Sequence, residues 1–145
     1  MGVARYVTTI ESTLSPAEAF AYMADFSNAL EWDPSVVEAT RATTDPVGAG
    51  SSFDLVVEFG GRKLPMQYEM VSYDEPRSFV VESQKPSFTS RDTVTVSPAA
   101  AGSTVHYDAV LEFKGAGRLL DPVMQLLFNR TGAKAAAGMR AALNR

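Results

Sequence analysis

"STVHYDAVLEFKGAGRLLDPVMQLLFNRTGAKAAAGMRAALNR", residues 103–145, changes its period part-way along. At first Val105, Tyr107, Ala109, Leu111 and Phe113 occupy every second position, with His106, Asp108 and Glu112 among the residues between. A period of two is that of a strand with one buried face. Further on, Leu120, Val123, Met124, Leu127, Phe128, Thr131, Ala135, Met139 and Ala142 recur at intervals of three and four. That spacing draws one stripe on a long amphipathic helix. Pro122 lies near its start, either in the first turn behind a capping Asp121 or as a mild kink. Ala133, Ala135, Ala136 and Gly138 thin the later half of the helix and permit close approach to other elements.

Working back from this last strand, the chain reads as a series of strands. "SFTSRDTVTVSP" and "RSFVVES" are two of them, joined to their neighbours by turns. "KLPMQYEMVSYD" (63–74) places Leu64, Met66, Tyr68 and Met70 on one face and Lys63, Gln67 and Glu69 on the other. "SFDLVVEFG" (52–60) does the same with Phe53, Leu55, Val57 and Phe59, and Gly60-Gly61 makes a tight hairpin between the two. "PSVVEATRA" (34–42) and "ARYVTTIEST" (4–13) complete the set. Between these last two, "SPAEAFAYMADF" has the signature of a helix start. Ser15 caps it, Pro16 suits its first position and Glu18 closes a capping box. "DFSNALEW" reads as a second short helix, stopped before Pro34.

The predicted order is strand, two short helices, six consecutive antiparallel strands, long helix. This is an α+β fold in which helices cover one face of one sheet. At 145 residues it forms a single domain spanning 1–145. One helix cannot fill a strongly curved sheet, so a cavity is expected between them.

Composition narrows the function. With no cysteine, thiolate catalysis, disulfides and Cys-based metal sites are excluded. A single histidine, His106, leaves no multi-His metal site, and neither a metal nor a cofactor is expected. The net charge of −4 argues against a nucleic-acid partner. Apolar runs are too short for a membrane span, and "MGVARYVTTI" has neither a signal-peptide core nor a myristoylation pattern, so a cytoplasmic protein is expected. Charge is uneven. Lys114, Arg118, Arg130, Lys134, Arg140 and Arg145 face one acid, Asp121, in the last segment. Such a basic helix either complements its own domain or docks an acidic partner. A homodimer is compatible with the chain.

Four stretches resemble the SRPBCC superfamily, the helix-grip or Bet v 1/START-like fold, and within it the bacterial polyketide cyclase/dehydrase-like branch. They are "SPAEAFAYMADFSNALEW", "WDPSVVEATR", "DEPRSFVVES" and the closing "GAGRLLDPVMQLLFNRTGAKAAAGMRAALNR". The resemblance spans essentially the whole chain. It implies a seven-stranded curved antiparallel sheet gripping the C-terminal helix, and an apolar cavity reached past the short helices and loops. It carries no catalytic signature, and fold alone does not assign an activity.

Candidate site residues follow from the inward faces. Phe53, Leu55, Val57, Met66, Tyr68, Met70, Phe79, Phe88 and Tyr107 come from the strands, and Leu120, Met124, Leu127 and Phe128 from the closing helix. Trp32, the only tryptophan, stands in the acidic corner "EWDP" and is read as a wall of the cavity rim, its indole N–H needing a partner. Tyr68 and Tyr107 are phenols that can orient a ligand carbonyl. Strict alternation in "FTSRDTVTV" turns Ser90 and Asp92 inward along with Phe88, Val94 and Val96. A carboxylate facing an apolar cavity has a raised pKa and suits general acid or base work. If a bulge shifts that register, Arg91 faces inward instead and becomes a binder of a ligand carboxylate or phenolate. Asp92, Arg91 and Tyr68 are therefore the candidate catalytic groups. His106 and Asp108 share an outward face, and no nucleophile elbow accompanies them.

Because few titratable groups face inward, the expected function is a carrier of a small hydrophobic or aromatic, lipid- or polyketide-like molecule; the alternatives are a polyketide cyclase/dehydratase-type enzyme acting by positioning and proton transfer, and a protein-interaction module using the basic helix. A carrier needs an almost wholly apolar lining with one or two hydrogen-bonding groups. An enzyme needs at least two titratable groups converging inside the cavity. An interaction module needs a collapsed cavity and an exposed apolar patch.

Overall fold

A computed structural model describes residues 2–115 and 122–145. β1 (Val3–Ser12) leads into α1 (Pro16–Ala24), a single 3-10 turn (Phe26–Asn28) and α2 (Ala29–Trp32). Six strands follow: β2 (Val36–Arg41), β3 (Ser52–Phe59), β4 (Arg62–Asp74), β5 (Ser78–Gln84), β6 (Phe88–Ala99) and β7 (Gly102–Phe113). α3 (Pro122–Ala142) closes the chain. The strands form one antiparallel sheet in the order β1-β7-β6-β5-β4-β3-β2, with β1 returning to pair with β7. This is the helix-grip fold expected from the sequence. Among the described residues no helix is long and apolar enough to cross a membrane.

Local chemistry accounts for the elements. Ser15 Oγ accepts from the Glu18 amide, and Glu18 answers by accepting from the Ser15 amide, so the capping box is made. Gly60 and Gly61 both have positive φ, the conformation that a two-residue hairpin requires. Bulges interrupt β2 between Val36 and Glu38 and β4 between Met70 and Ser72. Bulges raise local twist. None interrupts β6, so strict alternation holds there.

The space between sheet and α3 is filled unevenly. Towards its C-terminus α3 lies close against β1 and α2. A Cβ on Gly138 would come within 1.9 Å of the Trp32 carbonyl oxygen, and one on Gly132 within 2.3 Å of the Tyr6 ring. Met139 and Leu143 are fully buried here with Trp32, and Phe20, Phe53, Phe79 and Met70 fill the core between α1, the 3-10 turn and the sheet. Towards its N-terminus α3 carries Met124, Leu127 and Phe128, none of them fully buried. The helical stripe is narrower than the sequence implies: Val123 is 61% exposed, because the stripe drifts off the sheet in the first turn. Asp121 and Leu120 lie outside the described residues.

Candidate functional site

Under the first half of α3 is a cavity of about 410 Å³. β3 contributes Leu55, Val57 and Phe59, β4 Arg62, Leu64, Met66 and Tyr68, β6 Phe88, Ser90 and Asp92, and β7 Tyr107, Ala109, Leu111 and Phe113. These are the inward positions of strands whose outward residues meet solvent. Met124, Leu127, Phe128 and Thr131 form the roof. Phe26, Ala29, Asp33, Ser35 and Val36, around the 3-10 turn and α2, close the inner side. Gly60, Arg62 and Ser87 are exposed, so the cavity opens beside the β3–β4 and β5–β6 turns.

Most of the lining is apolar, and the polar groups gather at the inner end. Asp92 is buried, opposite the small Ala109 on β7. The phenol of Tyr107, diagonal to it across the strand pair, donates to Asp92 Oδ2 at 2.7 Å. Burial pushes the Asp92 carboxyl up to about 7; the Tyr107 hydrogen bond opposes this, and the charges of Asp33 and Asp108 add to it. Asp33 also lines the cavity. Its Oδ1 accepts from the Ser35 amide at 2.9 Å and the Ser35 hydroxyl at 2.7 Å. Burial nevertheless holds its pKa above the usual carboxylate value, those two bonds working the other way. Tyr68 Oη lies 2.8 Å from Ser90 Oγ. The phenol crosses β5, whose inward residue there is the small, buried Ser83. Burial first, then the Asp92 and Asp33 charges, hold both phenols well above their ordinary pKa. Two carboxyls and two phenols thus converge at the buried inner end of the cavity.

Aromatic edges pack around the inner end. The Phe26 ring packs edge-on against Tyr68 at 5.0 Å, and Trp32 against Tyr107 at 5.6 Å. Tyr107 is therefore gripped on its ring and on its hydroxyl.

Several sequence expectations need correction. Trp32 is 1% exposed and does not line the cavity; it is walled in by Phe26, Tyr107 and α3, and its Nε1 has no partner among the described residues. Phe53, Met70 and Phe79 point inward but lie under the 3-10 turn and α1, in solid core. Phe79 meets Phe20 edge-on at 5.6 Å. Leu55, Val57, Met66, Tyr68, Phe88, Tyr107, Met124, Leu127 and Phe128 do line the cavity. Arg91 points outward and pairs with Glu82 at 2.8 Å, because β6 keeps its register. His106 faces outward to Thr9, and Asp108 pairs with Arg5. Sequence reasoning missed Asp33, Ser35 and Phe26. They stand in turns, where no periodicity signals direction. Among the described residues no group of acidic or His side chains is arranged to hold a metal.

A family model described as "Polyketide cyclase / dehydrase and lipid transport" matches residues 3–144. The chain belongs to this family. The family's description spans polyketide cyclase/dehydrase and lipid-transport roles. No curated protein matches the sequence. Among solved structures, the chain is similar to a START superfamily protein from Mycobacterium smegmatis (TM-score 0.76, 14% identity, 99% of this chain and 97% of that one). It is similar to a Thermus thermophilus protein, TTHA0849 (TM-score 0.76, 17% identity, 97% and 96%). It also resembles the ZhuI aromatase/cyclase from Streptomyces sp. R1128 (TM-score 0.75, 11% identity, 97% and 93%). At these identities the likeness shows the fold alone.

Proposed function

We propose that this member of the family binds a small hydrophobic or aromatic, carbonyl-bearing molecule and transfers a proton on it, in the manner of a polyketide cyclase/dehydratase. The observation that supports this reading is Asp92: a carboxyl poised near neutrality, facing an apolar cavity and hydrogen-bonded by Tyr107. A base of that pKa, in its ionised form, takes a proton from carbon next to a carbonyl. The protonated form returns it to a departing or adding oxygen. Tyr68 lies across the same space, and its neutral phenol is suited to donate to a carbonyl oxygen as charge develops there. Apolar walls hold the chain of the substrate in one fold, which brings reacting carbons together.

The test is deuterium uptake. Incubated in heavy water with a small aromatic β-diketone, the protein accelerates incorporation at the acidic carbon. Asp92→Asn lowers that rate by about 10²-fold or more, while binding of the diketone, followed by calorimetry, is retained. Equal rates in both proteins would remove Asp92 from the chemistry.

A second reading, a carrier, draws on the same cavity, because its walls away from the inner end are apolar. It predicts binding of the diketone without acceleration in either protein.

A further inference from the structure

The cavity is polar at both ends, and the two ends carry opposite charge. Asp33 and Asp92 sit at the inner end. Among the described lining residues the one cation is Arg62, at the mouth. Arg62 is the first residue of β4, paired with Phe59 directly after the Gly60-Gly61 turn. Its side chain shares the inward face with Leu64, Met66 and Tyr68. Among the described residues it has no acid of its own. The described ion pairs join Arg5 to Asp108, Arg77 to Asp74, Arg91 to Glu82 and Arg145 to Glu31. The next residue, Lys63, faces outward and stands opposite Glu58 in the register.

Strand geometry sets the separation of the two ends. Arg62 and Tyr68 are six positions apart on β4. At ~3.3 Å per residue the guanidinium and the inner polar cluster are about 15–20 Å apart, allowing for the curvature of the sheet. The walls between them, Leu64, Met66 and Phe88 on the sheet and Leu127 and Phe128 above, are apolar, and Thr131 is the one hydroxyl among the described roof residues. A molecule apolar in its middle and polar at both tips matches this lining.

We infer that the ligand is an amphiphilic monocarboxylate: its carboxylate is held at the mouth by Arg62, and an oxygen function at its far end reaches Asp92 and Tyr107. This inference rests on the cavity reading above and adds the class and direction of the ligand. The two parallel N–H donors of a guanidinium match two carboxylate oxygens, and one unpaired cation balances the single charge of a carboxylate better than the nearly double charge of a phosphate monoester. The direction follows from charge. At the inner end two carboxyls repel an anion, whereas a hydroxyl or carbonyl can bond with Asp92, Tyr107 or Tyr68 there. Placed the other way round, the ligand leaves Arg62 unmatched and puts like charges together.

The test uses Nile red, a neutral dye, bound to the intact protein at low ionic strength and about pH 8. ω-Hydroxypalmitate and its methyl ester compete for the dye. The wild-type protein is expected to prefer the acid by about fivefold, the scale of a solvent-screened ion pair. Arg62→Gln abolishes that preference, weakening the acid more than the ester, Arg62→Lys keeps part of it, and Lys63→Gln keeps all of it. Equal competition by acid and ester in the wild type overturns the anchor but leaves the cavity standing. A preference lost equally in Lys63→Gln means general surface charge, and also overturns it. If neither the dye nor any competitor binds, the cavity reading fails and takes this inference with it.

Discussion

α3 crosses the sheet once, yet it lies on solid protein over its second half and over a hollow along its first. The difference is one of side-chain size. Ala135, Ala136 and Gly138 let the backbone of the second half come down onto α2 until Gly138 almost touches the Trp32 carbonyl. Met124, Leu127 and Phe128 hold the first half away from the sheet, and from the helices before β2 only Phe26 and Ala29, among the described residues, reach the inner side of the space beneath it. The solid half is anchored by large, fully buried rings. The hollow half spends part of that potential core on a cavity. Small residues on the helix therefore make the tight half, and large ones make the open half.

Mutations that exchange these properties should break the comparison, and the largest effect is expected in the solid half. Phe79→Ala removes a ring packed against Phe20 and should cost ~4 kcal/mol of stability, roughly 10 °C in melting temperature. Next, Gly138→Ala drives a methyl into the Trp32 carbonyl. It should cost ~3 kcal/mol, seen as a lower urea midpoint with little change in slope. A melting temperature unchanged by either substitution would mean that the two halves are not packed differently.

The third effect has the opposite sign and belongs to the hollow. The folded Asp92 carboxyl titrates near 7, whereas in the unfolded chain it titrates near ~3.9. As pH rises between these values the unfolded chain loses its proton first, so the stability that Asp92 contributes at low pH is lost by about 7. Asp92→Asn carries no such cost. Relative to wild type it should gain ~2 kcal/mol at about pH 8 and little at about pH 4, measured by urea unfolding at the two pH values. The smallest stability effect is expected from Phe128→Ala, which trims a half-buried wall and should cost ~1 kcal/mol or less. Its signature lies elsewhere: Nile red affinity should fall several-fold. A core-sized loss of stability at Phe128 would show that the hollow is a packed core after all.

Much of this is legible in the sequence. The switch from period two to period three-to-four marked the last strand and the closing helix, and Ser15-Pro16-Glu18 marked the first helix. Alternation correctly turned Ser90 and Asp92 inward, because β6 runs without a bulge. What alternation cannot tell is which half of an inward face lies under a helix. Phe53, Met70 and Phe79 were placed on the right face, yet they lie in the solid half. Trp32 shows the same limit across a longer distance. Its burial depends on Gly138, more than a hundred residues later, approaching its carbonyl, and no local pattern encodes that contact. Asp33 and Ser35 escaped notice because a helix-to-strand turn has no period. The quoted corner "EWDP" held the answer one residue further on: the tryptophan is structural, and its acidic neighbour faces the cavity.

The occupancy of the hollow is tested most directly by native mass spectrometry of the protein as purified, wild type beside Ala109→Phe. Ala109 lies on the cavity floor opposite Asp92, so a phenyl ring there projects into the space. The wild-type chain should carry an organic molecule of discrete mass, released on mild activation, and Ala109→Phe should fly at its bare chain mass while melting cooperatively. The same adduct on both proteins, or a bare wild-type chain that also fails to take up Nile red, would contradict the account.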